Sequence, residues 1–245
     1  MSLNYQMYGN IHKLTTVLIT ALCLFLAYGA EAQDTDALDV AATADEMAQI
    51  KDAYGFWAGA MFTKPFGADK KWTAGLLAQY HHITHEGVSR YDQYFARPSI
   101  SYNIRPWLSV RYDMDLAQTR GGFQMRFMPG VSVSKRISDF SLSLRQQFYY
   151  IWYPGSGATA HLFTTKGSVT YSIPDTPLAL SFAMEPLYRE KLFRNRIFAG
   201  LNIRLNDHLT LCPQYLRKAY HNRSGKHDRR TYDDHLLYVL LLVRL

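Results

Sequence analysis

The sequence is poor in cysteine and has no long apolar segment beyond its N-terminal region. Only two cysteines, Cys23 and Cys212, occur in 245 residues. Because Cys23 falls within a predicted signal peptide, the mature chain keeps Cys212 alone and cannot form an internal disulfide. The longest later apolar run, Leu236–Val243, has the length of a strand. A disulfide-stabilised secreted domain and a helical membrane protein are therefore both disfavoured.

Sequence signals for cofactors, metals and nucleic acids are also lacking. The chain has no glycine-rich phosphate loop and no cysteine–histidine spacing typical of a zinc site. His81 and His82 are adjacent, so on a strand they point to opposite faces and cannot share a metal. We therefore expect no cofactor, no metal site and no nucleic-acid partner.

The N-terminal region has the features of an export signal. Basic residues precede an apolar run over 17–27, and Ala30-Glu31-Ala32 gives a small-x-small cleavage pattern. We predict a signal peptide over residues 1–32 and export through the Sec pathway. A lipoprotein signal at Cys23 is disfavoured because the preceding leucine stands where a small residue is expected. Residues 33–53 are acidic and alanine-rich without period-two alternation, and we predict a periplasmic extension there.

Apolar and polar residues alternate along most of the remaining chain. In Leu108–Leu116 one parity is apolar and the other is Ser109, Arg111, Asp113 and Asp115. On a strand this gives one apolar and one charged face, which suits either a soluble sandwich or barrel, or a membrane barrel with a polar lumen. About ten such segments, this one included, lie between Trp72 and Leu245, and Tyr54–Phe62 supplies an extra one.

The aromatic content favours the membrane barrel. Aromatic residues make up 14% of the chain, with 18 tyrosines and 4 tryptophans, and they alternate with charged residues, the reverse of a soluble barrel. We predict an all-β fold, an antiparallel up-and-down transmembrane β-barrel of about 10–12 strands over residues 54–245, in the outer membrane of a Gram-negative bacterium. Its last strand, His235–Leu245, is mostly apolar on both faces. Longer connections at 83–93, 117–122, 153–160, 188–194 and 221–234 alternate with short ones, which predicts external loops and a periplasmic C-terminus.

The C-terminal third also resembles a known family. The stretch EPLYREKLFRNRIFAGLNIRLNDHLTLCPQYLRKAY contains Glu185, Asn195-Arg196, Gly200-Leu201 and Tyr215, and a Trp57 strand precedes a lysine-rich turn. These features resemble the domain-of-unknown-function family 2490, predicted bacterial outer-membrane barrels. The resemblance implies a barrel over most of the mature chain and implies no activity. The terminal leucine departs from the aromatic residue with which barrel-insertion signals usually end.

The predicted inward positions are strongly basic. Eleven cations fall there: Arg97, Arg105, Arg111, Arg126, Arg145, Lys166, Arg189, Arg196, Arg204, Lys218 and Arg244. Only Asp113, Asp115 and Glu185 oppose them. Because an unpaired arginine in a narrow barrel needs water, a carboxylate or a phosphate, we predict a narrow channel or a barrel that binds a small ligand or lipid, with an anion-favouring lumen. The ligand-binding candidates are Arg97, Arg111, Arg126, Arg145, Lys166, Glu185, Arg196 and Arg204. The alternative is a closed, hydrogen-bonded plug that only rigidifies the barrel.

A second hypothesis makes the chain an enzyme. Asp113 and Asp115, facing Asp233 and His235 across the barrel mouth, could activate water for peptide cleavage, an arrangement that resembles the omptin outer-membrane proteases. The His-x-Ser pattern of barrel deacylases is absent. A third hypothesis is a purely structural outer-membrane barrel.

The expected partners follow from this location. We expect outer-membrane lipid, lipopolysaccharide phosphates bound by the basic run at 223–230, the barrel-assembly machinery, and an anionic small solute.

Overall fold

Eleven β-strands account for the regular structure of the part of the chain that the computed structural model describes. The described residues are 53–85, 88–188, 192–220 and 232–245. The strands are β1 (Ala53–Phe66), β2 (Trp72–His85), β3 (Val88–Arg105), β4 (Leu108–Thr119), β5 (Gly122–Ile137), β6 (Phe140–Trp152), β7 (Thr159–Ser172), β8 (Leu178–Tyr188), β9 (Leu192–Arg204), β10 (Leu209–Tyr220) and β11 (Tyr232–Arg244). Among these residues, none belongs to a helix long and apolar enough to cross a membrane. The predicted signal peptide and most of the predicted extension lie outside the described residues.

The strands form one closed barrel. Each strand pairs antiparallel with the next along the chain, and β1 closes the barrel by pairing with β11. This last pair is parallel, with its register running from Ala53 opposite Asp234 to Thr63 opposite Arg244. The all-β barrel and its ten strands from Trp72 onward are therefore confirmed. The supernumerary Tyr54–Phe62 segment is the closing strand, and the strictly antiparallel prediction was wrong at this pair.

The odd number of described strands has a consequence for the chain ends. Since β1 and β11 run in the same direction, Ala53 and Leu245 lie at opposite ends of the barrel. Residue 53 is the last residue of the predicted periplasmic extension. The two predictions, a periplasmic residue 53 and a periplasmic C-terminus, therefore cannot both be correct.

Side chains alternate between the outer and inner faces as the sequence predicted. In β4, Val110 and Tyr112 are exposed on the outer face, whereas Asp113 and Asp115 are fully buried. The inner face also carries apolar layers, in which Trp57, Ala183, Phe198, Leu216 and Leu236 form one cluster. A second cluster contains Leu77, Phe95 and Ala117, and a third Met128, Tyr149 and Ile151. Apart from Ala183, these apolar residues inside the barrel were not predicted from the alternation.

The connections are shorter than predicted at three places. The connection predicted at 188–194 is reduced to residues 189–191, between β8 and β9. The long connection predicted at 83–93 is mostly strand, because β2 extends to His85 and β3 begins at Val88. The one predicted at 117–122 is also mostly strand, because only residues 120–121 separate β4 from β5. These segments continue the ladder hydrogen bonds of their neighbours. The strict alternation of short and long connections is therefore wrong there, and most of the 221–234 connection lies outside the described residues.

Aromatic side chains gather on the outer wall near both ends of the barrel. At the end of the β1–β2 turn, the Trp72 ring lies 6.2 Å from that of Phe66 and 4.7 Å from that of Tyr102, centroid to centroid. At the opposite end, Tyr54 lies on the same outer face and is exposed. Two aromatic bands around an apolar wall are typical of barrels that cross a membrane.

Candidate functional site

A first group of charges in the barrel interior surrounds Asp115. Cross-strand pairing brings Asp115 of β4 beside Arg126 of β5. Arg97 of β3 donates two hydrogen bonds to this carboxylate, one of them from Nη2 to Oδ2 at 2.9 Å. Arg126 Nη1 lies 3.4 Å from the same Oδ2 atom and its Nη2 donates to Gln93 Oε1 at 3.0 Å. Two arginines therefore share one buried carboxylate.

A second group surrounds Asp113, two residues earlier on the same inner face. Arg111 Nη2 donates to Oδ1 of Asp113 at 2.6 Å. Gln147 of β6 donates from Nε2 to Oδ2 at 2.7 Å, reaching past β5 to do so. Both oxygens of this buried carboxylate are therefore occupied.

The third group, here called the Glu185 cluster, consists of Arg145, Lys166, Glu185 and Arg196. Arg145 Nη2 lies 3.8 Å from Oε1 of Glu185, and Arg196 Nη1 lies 3.3 Å from Oε2. Lys166 pairs with Arg145 in the sheet register, and its ammonium lies 4.3 Å from the centre of the Phe198 ring. The cluster therefore places three cations around one carboxylate.

The sheet register continues this cluster with a buried ion pair. Arg196 pairs with Lys218 of β10, which pairs with Asp234 of β11. Lys218 Nζ lies 2.6 Å from Asp234 Oδ2, with both side chains almost fully buried. Asp234 is an inner anion that sequence analysis missed. The signal was weak because β11 is apolar on both faces, so parity alone could not distinguish Asp234 from its neighbours.

The acidic and basic side chains of these groups differ in how much of their surface is accessible to solvent. The side chains of Asp113 and Asp115 are 0% accessible, and that of Glu185 is 5% accessible. The side chains of Arg97, Arg111, Arg126, Arg145 and Arg196 keep between 16% and 22%. The anions are therefore enclosed by their partners, and the accessible surface of these ion pairs belongs to the arginine side chains.

Some of these guanidinium groups retain unused donors. The Nε atoms of Arg111, Arg145 and Arg196 are buried and have no hydrogen-bond partner. A buried donor without a partner carries a desolvation cost. These three atoms are unused donors of the interior, where the buried oxygens Gln147 Oε1 and Thr164 Oγ1 also have no hydrogen-bond partner.

Aromatic rings lie against the same cations. The indole of Trp57 stacks on the His81 ring with a centroid separation of 3.7 Å and an interplanar angle of 2°. The charged groups of Arg196 and Lys218 lie 5.7 Å and 5.3 Å from the Trp57 ring. This arrangement was not predicted, because alternation shows only that Trp57 and His81 share the inner face, not that they stack.

The predicted cations fall into three sets. Arg97, Arg111, Arg126, Arg145, Lys166, Arg196 and Lys218 line the interior as predicted. Arg105, Arg204 and Arg244 are exposed at strand ends, so Arg204 is separated from the other ligand-binding candidates. Arg189 lies outside the described residues.

The four groups of the peptidase hypothesis do not face one another. His235 is on the outer face, where its Nδ1 atom bonds the Tyr215 hydroxyl and its ring stacks on Tyr54 at 5.5 Å. Asp233 lies two residues before His235, on the same face of β11, and accepts hydrogen bonds from Arg217. Asp113 and Asp115 point inward, so the predicted four-residue arrangement across the mouth was wrong. In the described part of the chain, no three His, Cys, Asp or Glu residues come together as a metal site would require.

An apolar outer wall around a closed, charged interior defines a β-barrel of the membrane-spanning class. The chain belongs to the family described as protein of unknown function (DUF2490), whose family model matches residues 54–229. This confirms the resemblance inferred from the sequence. Among solved structures, the chain is similar to one titled "NanC porin structure in rhombohedral crystal form", with 12% identity, a TM-score of 0.43, and coverage of 73% of this chain and 93% of that chain. No curated protein matches the chain.

Proposed function

We propose that this chain is an outer-membrane barrel whose lumen admits small anionic solutes in preference to cations. The observation that carries the proposal is the accessible charge of the inner wall. The carboxylates are enclosed and the arginine side chains keep about a fifth of their surface accessible, so a solute entering the lumen meets basic side chains first. Fixed charge in a narrow, water-filled passage selects the opposite ion.

The outer-membrane location is supported by the outer wall. Large apolar side chains such as Val131, Leu144 and Phe182 are exposed there and would be costly in water. Aromatic bands at both barrel ends match the girdles that lie at membrane interfaces. The export signal that the sequence predicts over residues 1–32 agrees with this location.

Ion selectivity in planar lipid bilayers tests the proposal. The purified barrel is inserted between unequal potassium chloride solutions, and the reversal potential is measured. We expect a sign that indicates chloride preference. In the Arg145→Gln and Arg111→Gln variants the preference is expected to fall, because each removes one positive charge from the inner wall.

The control is a change of the same kind outside the lumen. Lys135→Gln removes a positive charge from the exposed end of β5 and is expected to leave the reversal potential unchanged. Preference for potassium, or the absence of any conductance from correctly folded protein, would contradict the proposal. Absence of conductance would support the plugged, purely structural barrel instead.

A further inference from the structure

The positive charge of the interior is unevenly distributed. Asp113 and Asp115 balance most of the charge on β3–β5, and Asp234 balances Lys218. In the Glu185 cluster three cations share one carboxylate, which leaves an excess of two positive charges within the cluster. We propose that the Glu185 cluster is a binding site for a small dianionic oxyanion, either phosphate or a phosphate monoester, an inference that rests on the proposed anion-admitting lumen.

The first argument is the number of donors that the cluster leaves unused. Each arginine gives one terminal nitrogen to a different oxygen of Glu185. The Nε atoms of both Arg145 and Arg196 have no partner. Lys166 makes no ion pair with any described residue, and its ammonium rests against the Phe198 ring. Two guanidinium groups and one ammonium group therefore have capacity for an additional acceptor.

The second argument is charge. A monoanion such as chloride or a carboxylate would neutralise only half of the excess, whereas the phosphate dianion neutralises all of it. Phosphate also presents several acceptor oxygens around one centre, which matches donors arriving from β6, β7 and β9. Access is available, because the Arg145 and Arg196 side chains keep 22% and 19% of their surface exposed.

Trp57 provides a spectroscopic reporter for this site. The Arg196 guanidinium lies 5.7 Å from its ring, so an anion that draws Arg196 away changes the surroundings of the indole. Trp72, Trp107 and Trp152 are exposed, and they lie at strand ends or in the β3–β4 turn. Emission of the full-length protein in detergent is measured while inorganic phosphate is added at constant ionic strength, with glycerol phosphate as the monoester probe and chloride as the comparison ion.

We expect a saturable change of emission with inorganic phosphate and with glycerol phosphate, and none with chloride. The Lys166→Met variant should bind phosphate about tenfold more weakly, because it loses one charged donor. Lys166→Arg, which keeps the charge, should bind within a few-fold of the native chain. Lys135→Met, the same change at the exposed end of β5, should bind as the native chain does.

Several outcomes would overturn the site. The site would be refuted if phosphate did not change the emission of the native protein, or if chloride changed it equally. It would also be refuted if the Lys166→Met variant bound phosphate as tightly as the native chain. If Lys166→Met does not fold, Arg145→Gln takes its place with the same expected loss. The bilayer measurement separates this inference from the proposed function. Chloride preference without a phosphate response removes the site alone, and a phosphate response without conductance removes the pore and keeps the site.

Discussion

At the scale of single residues, buried carboxylates fix the positions of the interior arginines. Asp115 is fully buried and accepts hydrogen bonds from both Arg97 and Arg126. The Asp115→Asn variant removes the negative charge and turns an amide donor toward two guanidinium groups. We expect a loss of about 3 kcal/mol in the free energy of unfolding, at the low end for a broken buried pair because the arginines still reach lumen water.

Urea unfolding in lipid vesicles, followed by tryptophan fluorescence, measures this loss. The matched control is Asp69→Asn, which breaks the exposed pair of the β1–β2 turn, where Lys71 Nζ lies 3.1 Å from Asp69 Oδ2. The hydrogen bond from Lys71 lowers the pKa of the Asp69 carboxyl. Water replaces that interaction in the variant, so its stability should not change measurably. Equal stability of Asp115→Asn and the native chain would show that Asp115 does not fix the arginines.

Residue identities inside the barrel were largely predictable, but their partners were not. Period-two alternation was enough to place Arg97, Asp113 and Glu185 on the inner face. It could not indicate that Asp115 forms ion pairs with two arginines while Lys166 forms none with a described residue, because that depends on cross-strand register. The register of β11 was also unpredictable, since a strand apolar on both faces gives no parity signal. Asp233 and His235 were consequently placed inside, where Asp234 is found.

At the scale of strands, three glutamine–glycine pairs hold neighbouring strands together. Gln79, Gln147 and Gln214 each lie on the inner face beside a glycine of the adjacent strand, namely Gly59, Gly130 and Gly200. In each pair the glutamine side chain passes over the glycine to a residue one strand further on. The acceptors are the hydroxyl of Tyr238, the carboxylate of Asp113 and the hydroxyl of Ser181, at 2.8 Å, 2.7 Å and 3.1 Å.

The glycines are required because a β-carbon would occupy the path of the glutamine. At Gly130 an added β-carbon would lie 2.5 Å from Cγ of Gln147 and 2.7 Å from the carbonyl oxygen of Gln146. The Gly130→Ala variant should therefore displace Gln147 from Asp113 and lower the free energy of unfolding by about 1–3 kcal/mol. The control is Gly167→Ala, where nothing lies within 4 Å of the new methyl group.

Both glycine variants are measured by the same urea unfolding in vesicles. Gly167→Ala should match the native chain or exceed it slightly, because alanine restricts the unfolded chain more than glycine does. If Gly130→Ala were as stable as Gly167→Ala, the glutamine would have another path to Asp113 and the glycine would not be needed. These pairs were not predictable from the sequence, since only the register reveals that each glutamine adjoins a glycine.

At the scale of the whole molecule, the parallel pair of β1 and β11 closes the barrel. Closure removes the two sheet edges that would otherwise expose unpaired backbone groups to lipid. The pairing spans eleven register positions, and the amide of Leu245 donates to the Thr63 carbonyl at 2.8 Å beyond them. Alternation in Tyr54–Phe62 predicted the strand, but its direction relative to β11 depends on the number of strands between them.

Disulfide cross-linking tests the direction and register of this closure. Ala58 and Val239 are register partners of β1 and β11 and share the outer face, so cysteines at these positions should form a disulfide on mild oxidation. The experiment uses the Ala58→Cys, Val239→Cys variant in a Cys212→Ser background. A link between residues 58 and 239 closes most of the barrel chain into a loop, which alters migration in a non-reducing denaturing gel.

The matched control is Ala58→Cys with Leu240→Cys, one position further along β11. Leu240 points to the inner face, so this pair should stay reduced. Efficient cross-linking of the control pair, or none of the first pair in folded protein, would mean that the parallel register is not the one that closes the barrel.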